Sequence, residues 1–171
     1  MPEIRTVALL VNPANPVSTL RGEIPSDLQE AASVKGMRFD KLTASTASEI
    51  DAAFASLVQQ RDGALLVTAD PFFNIRRAQL AALSIRHAIR TIFDNRTFAE
   101  AGGLISYGRK TEGAWRPVGL YVGRILAGAK PGDLPVQQPT KFELVVNLTT
   151  AKAIGLVVPQ SIIARADQVI E

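Results

Sequence analysis

The sequence predicts an α/β fold, a Rossmann-like or flavodoxin-like parallel sheet with helices on both faces. Up to about residue 110, short apolar runs alternate with segments of helical periodicity, which is typical of βαβ units. The runs are apolar at nearly every position, as expected for strands that are buried on both faces. A chain of 171 residues is long enough to enclose a substantial core in one domain.

Five apolar runs are predicted to form the strands of this unit. They cover residues 7–11, 37–43, 63–68, 89–93 and 104–107. The second run is less apolar than the others and is expected near an edge of the sheet.

Helices are predicted over the segments 26–35, 46–59 and 70–87. The first two begin with the S/T-x-x-E/Q pattern of a capping box, at Ser26 and at Thr46. The third has Asp70 as its N-cap and Pro71 at its first helical position.

The last third of the chain departs from this alternation. Residues 115–127 have helical periodicity, and a proline-punctuated extended connection follows over 129–139. The remaining segments are predicted as a strand over 142–146, a short helix over 149–154 closed by Gly155, and a helix over 159–170.

Composition excludes several classes of protein. The net charge is +3, but Lys and Arg are scattered rather than clustered, so no nucleic-acid-binding face is expected. The absence of cysteine excludes disulfides and thiolate metal sites. No apolar run is long enough for a membrane span, and the first residues lack the apolar region of a signal peptide.

Polar side chains follow the predicted strands, where parallel strands bring their carboxyl ends to one edge of the sheet. Ligands of open α/β folds bind at this edge. Amides, a carboxylate and aromatic rings there suit a small polar ligand. The candidate ligand-binding residues are Asn12, Asn15, Asp70, Phe72, Asn95, Gly103 and Tyr107.

Six of these candidates also have a purely structural alternative. The two asparagines after the first strand can build an Asx turn, and Asp70 can serve only as a helix N-cap. Phe72 and Tyr107 can belong to the core. Gly103, with its neighbour Gly102, can relieve a tight turn.

No catalytic set is expected. His87 is the only histidine, and it falls at the end of a predicted helix, on the edge opposite the strand tips. The sequence has no G-x-S-x-G, no H-E-x-x-H and no P-loop pattern. We therefore expect a protein that is not an enzyme and that has no catalytic residues, no metal and no cofactor.

Three stretches together resemble a known family. They are VNPANP at 11–16, FAEAGGLISYG at 98–108, and the run 121–171 with VGRIL, GAKPGDLPV and PTKFELVVN. The chain resembles the uncharacterised ABC-transporter substrate-binding proteins, the group that includes the tryptophan/tyrosine-type periplasmic binding proteins. The likeness covers essentially the whole chain.

The resemblance implies one lobe of a type I periplasmic-binding-protein fold, in which two Rossmann-like lobes clamp a ligand. The chain is similar to the second half only. Residues 1–171 are then a single ligand-binding lobe, with a βα core over 1–110 and a crossover helix, a strand and terminal helices over 111–171. Family members deliver small molecules, in some cases aromatic or other amino acids, to a membrane permease. The resemblance thus implies a periplasmic protein with an ABC permease as partner.

Two features depart from the family pattern. The helix over 115–127 crosses to the first lobe in a two-lobe protein, so here its apolar side lacks that partner. We expect it to fold onto its own domain or, as the favoured outcome, to pair with a second copy in a homodimer. Pro25 interrupts a first helix that the family usually has continuous, so the loop after Asn15 is expected to be longer.

Three functions remain open from the sequence. The first is a solute-binding component of an ABC transporter that binds a small polar metabolite such as an amino acid. The second is the effector-sensing lobe of a regulator, against which the lack of a DNA-binding segment counts. The third is a small α/β enzyme, which lacks a visible nucleophile and base.

Overall fold

The computed structural model describes residues 4–16, 24–60, 63–110, 115–138 and 140–171. Seven strands in these ranges form one sheet. They are β1 (Thr6–Val11), β2 (Arg38–Thr43), β3 (Ala64–Val67), β4 (Arg90–Phe93), β5 (Ile105–Arg109), β6 (Phe142–Asn147) and β7 (Gln168–Ile170). The α/β fold class predicted from the sequence is confirmed.

Eight α-helices lie in the described ranges. They are α1 (Ser26–Val34), α2 (Ala47–Gln60), α3 (Pro71–Ile75), α4 (Arg77–Arg86), α5 (Arg96–Glu100), α6 (Trp115–Leu126), α7 (Leu148–Ala153) and α8 (Gln160–Ile163).

The strand order is β2-β1-β3-β4-β5-β6-β7. Strands β1 to β5 pair in parallel, β6 is antiparallel to β5, and β7 is parallel to β6. The first five strands thus have the flavodoxin-like order 2-1-3-4-5. The chain leaves β1 toward one edge and later returns to β3 on its other side, so the topological switch point lies between β1 and β3.

The main core lies where α2, α4 and α5 pack on the sheet. Its largest fully buried side chains include Phe54, Phe73, Phe93 and Phe98. The rings of Phe93 and Phe98 stack with their centroids 4.5 Å apart. A second apolar cluster joins β6 to α7 and to residues near α8. The main core includes Leu10, Val67 and Phe93, which lie at or next to the carboxyl ends of β1, β3 and β4.

The capping boxes predicted at the starts of two helices were only partly right. The capping box predicted at Ser26 is wrong, because Pro25 is the N-cap of α1 and no side chain caps that helix. The Gln29 amide donates instead to the Ile24 carbonyl at 2.7 Å. At α2, the Thr46 hydroxyl accepts from the Glu49 backbone N–H at 3.2 Å, as predicted.

Three element predictions require correction. The helix expected over 70–87 is broken at Arg76 into α3 and α4. Of the helix expected over 159–170, only α8 forms. The last residues of that segment form β7 instead. Asp167 turns the chain onto the free edge of β6, since its N–H donates to the Leu144 carbonyl and its carboxylate accepts from the Leu144 N–H. The short helix α5 was not predicted. Most of the loop expected after Asn15 lies outside the described residues.

Candidate ligand-binding site

Asp70 is the centre of a polar cluster at the switch point of the sheet. It follows β3 and is only 9% exposed. Its Oδ1 accepts a hydrogen bond from Asn12 Nδ2 at 3.1 Å, and its Oδ2 accepts one from Asn15 Nδ2 at 2.6 Å. Both asparagines follow β1. The structure therefore joins the tips of two neighbouring strands through one carboxylate.

The same residues also perform their structural roles. The Oδ1 atom of Asn12 accepts from the Ala14 N–H at 3.0 Å, which closes an Asx turn. Asp70 is the N-cap of α3 and accepts from the Phe72 N–H at 2.8 Å. These turns fix the side chains in place, so the cluster is preorganised.

The charge of Asp70 has no cationic partner among the described residues. Ion pairs among the described residues join Arg38 to Asp40, and Arg96 to Glu100 and Glu143. An ionised carboxylate offers about four acceptor positions, and the donors found among the described residues occupy three of them. A buried anion with remaining acceptor capacity suits an ammonium group, because charge-assisted hydrogen bonds are the strong ones.

Asn95 lies at the next strand tip, after β4. It is the N-cap of α5, and its Oδ1 accepts from the backbone N–H of Thr97 at 3.1 Å and from the Thr97 hydroxyl. The Thr97 hydroxyl also lies 3.4 Å from Oδ1 of Asn74 in α3. The tips of β3 and β4 are thus connected by side-chain contacts, and Asn95 is near the helix that Asp70 caps.

Tyr107 lies farther along the same edge. The residue is 60% exposed, and its ring stacks on the ring of Phe142 in β6. Phe72 is half-buried at the start of α3, with its ring centroid 5.6 Å from that of Phe73 and 6.0 Å from the Arg76 guanidinium. Neither aromatic residue is fully buried.

Gly103 is separated from the other six candidates. It is buried before the amino end of β5, where its N–H donates to the Phe98 carbonyl at 2.7 Å. A Cβ atom there would lie 2.7 Å from the Phe93 ring. These contacts are those of a tight turn that packs against the core, the structural alternative foreseen for this glycine.

Two residues at the site were missed by reasoning from the sequence. Gly108 has its Cα pressed against the loop after β4, and a Cβ atom there would lie 1.6 Å from the Asp94 carbonyl oxygen. A glycine next to a candidate tyrosine at a strand end was the available signal. Phe142 was assigned to a strand without a role, and only the pairing of β6 with β5 brings it beside Tyr107.

The opposite edge of the sheet has different features. His87 ends α4 there, half-buried, with its ring centroid 6.4 Å from that of Phe54. An open depression near the amino ends of β1 and β2 is lined by Arg5, Thr6, Gly36, Met37 and Arg38. In the described ranges, no cluster of three or more acidic or histidine side chains is arranged for a metal ion, and no helix has the length and apolarity to cross a membrane.

The fold is that of an α/β lobe with a polar cluster at its switch point, and comparison with known proteins gives its family. A family model described as ABC transporter substrate binding protein matches residues 1–170. The chain therefore belongs to this family, which is one of solute-binding proteins rather than enzymes. A comparison with curated proteins gave no significant match.

Three solved structures have a similar fold. A conserved domain protein from Vibrio cholerae O1 biovar El Tor is 22% identical with a TM-score of 0.84, over 99% of this chain and 56% of that one. An ABC domain from Streptococcus pneumoniae in complex with L-Trp is 21% identical with a TM-score of 0.83, over 97% and 56%. A ligand-free, open substrate-binding protein with adhesive properties from Clostridium difficile is 23% identical with a TM-score of 0.68, over 99% and 55%. The chain thus spans about half the length of these structures.

Proposed function

We propose that this chain is a ligand-binding lobe of the solute-binding component of an ABC transporter, and that Asp70 holds the cationic group of a small polar metabolite such as an amino acid. The observation that carries the proposal is the buried Asp70 carboxylate, fixed by Asn12 and Asn15 at the switch point of the sheet. The complex of the Streptococcus pneumoniae neighbour with L-Trp supports an amino acid as the ligand class.

Each candidate residue has a different role in the proposed binding. The Asp70 carboxylate accepts from the ligand's ammonium group, while the two asparagines hold the carboxylate in position. Asn95, which follows β4, extends the row of polar side chains at the strand tips toward β5. One lobe covers one side of a ligand, so affinity is expected to be weak, because the other side stays hydrated. Membership of the family supports a periplasmic or extracellular location and an ABC permease as partner.

A thermal-shift screen of this chain against L-amino acids and other small metabolites tests the proposal. Amino acids are expected to raise the melting temperature of the wild-type chain by an amount that grows with the logarithm of the ratio of ligand concentration to Kd. Asp70→Asn is expected to abolish that shift, because it removes the charge and keeps a side-chain oxygen for the cap. Asp40→Asn removes the same charge in the middle of β2 and is the matched control. Equal shifts in all three proteins would refute the assigned role of Asp70.

We also propose that two copies of the isolated chain associate through α6. This helix has no buried residue, and one side of it is an exposed apolar stripe. The stripe consists of Trp115, Val118, Val122, Ile125 and Leu126. The last four of these residues are 49%, 50%, 40% and 83% exposed, in that order. Pairing with a second copy covers the stripe and closes a twofold dimer.

A further inference from the structure

Part of the central sheet has an uncovered apolar face in the described structure. Ile92, Tyr107 and Phe142 are 39%, 60% and 52% exposed, although they belong to the interior strands β4, β5 and β6. Sheets of parallel strands are almost always covered by helices on both faces, because such strands are apolar on both sides. An exposed apolar face in the middle of this sheet therefore indicates a surface that another element covers.

Strand register places these three side chains on one side of the sheet. Ile92 pairs with Ile105, and Tyr107 is two residues farther along β5. Phe142 pairs with Arg109, again two residues beyond Tyr107. Paired residues and residues two apart in a strand point to the same face, and the contact between the rings of Tyr107 and Phe142 agrees with this placement. We call Ile92, Tyr107 and Phe142 the bare face.

The helices that pack on the sheet lie elsewhere. Phe93, the neighbour of Ile92 in β4, points to the opposite face and stacks on Phe98 of α5. The core on that face also contains residues of α2 and α4. Helix α1 packs beside β2 and α7 beside β7, at the two edges of the sheet. The exposure of Ile92 and Tyr107 shows that no element among the described residues covers the strands between them.

Helix α6 has an apolar surface that matches the bare face in size. The 12 residues of α6 make it about 18 Å long and about 10–12 Å wide. The bare face spans two strand intervals, from β4 to β6, which corresponds to about 10 Å. At about 100° per residue, Arg116 and Arg124 fall on the side of α6 opposite its apolar stripe. One helix therefore fits the width of the bare face without placing its own charges against the sheet.

The two surfaces belong to one chain but do not meet within it. No residue of α6 is buried, and the bare face remains exposed. The Lys110 N–H donates to the Lys141 carbonyl at 3.0 Å, so the chain leaves β5 and returns to β6 at the same point. The Tyr121 hydroxyl donates to the Pro135 carbonyl, which holds the returning connection against the helix. Helix α6 and this connection thus form an arm that joins the lobe at one place.

We infer that α6 of one copy of this chain docks on the bare face of a second copy, which returns the same contact. The inference rests on the self-association proposed above and identifies the surface that receives the helix. Reciprocal exchange makes each contact twice, as a twofold dimer requires. Tyr107 then belongs to a core, which is the structural alternative noted for it in the sequence.

The exposed side chains supply enough area for a stable dimer. Each contact brings together eight large apolar side chains, five of the stripe and three of the bare face. Each of them leaves on the order of 100 Å² to be covered. The two contacts together then bury about 1,600 Å², which is the size of a standard protein–protein interface.

The absence of cysteine from the chain permits a direct test. Ile92→Cys places a thiol on the bare face, and Val122→Cys places one in the middle of the stripe. The two variants are mixed and treated with a short bis-maleimide, and the crosslinked products are identified by mass spectrometry. We expect a crosslinked heterodimer of the two variants, whereas neither variant alone is expected to crosslink.

Leu120→Cys is the matched control, because Leu120 is 58% exposed in the same helix but lies outside the stripe. Mixed with Ile92→Cys, it is expected to give a heterodimer yield at least tenfold lower than Val122→Cys gives. Equal yields from the two helix positions would show that random collisions produce the crosslink, and they would overturn the docking.

Two further results separate this docking from other arrangements. Crosslinking of Val122→Cys to itself would show that two α6 helices pair with each other, which overturns the docking and retains the proposed self-association. A chain that carries both Ile92→Cys and Val122→Cys is expected to crosslink into dimers. Crosslinking only within single chains would overturn the docking, because α6 would then cover its own sheet. A chain that stays monomeric in ultracentrifugation at high concentration overturns the docking and the self-association together.

Discussion

At the scale of single residues, Asp70 combines a structural role with the binding role that we propose for it. Its carboxylate caps α3 and accepts from two asparagine amides of another strand tip. These roles support one another, because the hydrogen bonds that stabilise the turn also fix the direction in which the charge is presented. The carboxylate is thus held in one orientation by the fold itself, as the proposed binding role requires.

The structural role of Asp70 predicts a difference between two substitutions. Asp70→Ala removes the cap and leaves the amides of Asn12 and Asn15 without their acceptor. It is expected to lower the free energy of unfolding by about 2 kcal/mol. Asp70→Asn retains a capping oxygen and is expected to cost clearly less. Urea denaturation measures both values, and equal losses would contradict the assigned cap.

Glu49 provides a prediction for pH. The hydrogen bond from the Ser45 backbone N–H, followed by that from the Ser45 hydroxyl, lowers the pKa of Glu49 from its usual value of 4.5. A carboxyl group whose pKa is lower in the folded state stabilises the fold above its unfolded-state pKa, and this stabilisation is lost as the pH falls through the folded-state pKa.

Glu49→Gln tests this pH dependence. The wild-type chain is expected to have a higher melting temperature than the variant at neutral pH, and the difference is expected to shrink as the pH falls below about 4.5. Melting curves from neutral pH to about pH 3 measure it. A difference that is constant across this range would rule out the charged hydrogen bond.

At the scale of elements, the strand tips are positioned by close backbone packing as well as by side chains. Gly108 in β5 approaches the loop after β4 so closely that no side chain fits between them. This contact sets the height of Tyr107 relative to Asn95. The geometry of the candidate site therefore depends on a residue that has no functional group.

Gly108→Ala is expected to be strongly destabilising. Its Cβ atom would collide with backbone, which cannot swing aside as a flexible side chain can, and overpacking typically costs about 1–3 kcal/mol. Gly119→Ala is the matched control, because nothing lies within 4 Å of its Cβ position in α6. The control is expected to stabilise the helix by up to about 1 kcal/mol. Chemical denaturation of both variants measures the effect, and a neutral Gly108→Ala would contradict the close contact.

Much of the fold and part of the site were predictable from the sequence. Uninterrupted apolar runs identified the strands, and the Asp70-Pro71 pair identified the start of α3, because these signals are local. The partners of Asp70 are distant in the sequence, and so is Phe142, which reaches Tyr107 only through antiparallel pairing. The conversion of the last predicted helix into β7 likewise depends on the free edge of β6, a tertiary feature that periodicity does not encode.

Gly103 illustrates the same limit at the candidate site. The sequence offered two interpretations of this glycine, close approach of a ligand to backbone amides or relief of a tight turn. In the structure, Gly103 precedes the amino end of β5, whereas Tyr107 lies within the strand, level with the first residue beyond β4. Residues that are close in the sequence therefore lie at different heights along the same strand, one before its start and one within it.

At the scale of the whole molecule, α6 is the long helix of the described structure whose apolar side chains are least buried. All of its large apolar side chains except Tyr121 are exposed, and the Tyr121 hydroxyl donates to the Pro135 carbonyl in the connection that follows. The alternative that α6 folds onto its own sheet is not observed. Its apolar stripe therefore needs a partner from outside the described fold.

Self-association through α6 is expected to depend on concentration. Analytical ultracentrifugation of the isolated chain should detect dimers, and Val122→Glu, in the middle of the stripe, should shift the equilibrium to monomers. Lys152→Glu introduces a glutamate on an exposed position of α7 and is the control. A wild-type chain that stays monomeric at high concentration would contradict the proposed pairing.

The central claim is that the Asp70 carboxylate binds the cationic group of the ligand. Isothermal titration of the wild-type chain, Asp70→Asn and Asp40→Asn with L-tryptophan tests it most directly. We predict that Asp70→Asn raises the dissociation constant by about tenfold or more, the effect of losing a hydrogen bond to a charged group, and that Asp40→Asn leaves it unchanged. Wild-type affinity in Asp70→Asn would contradict the account.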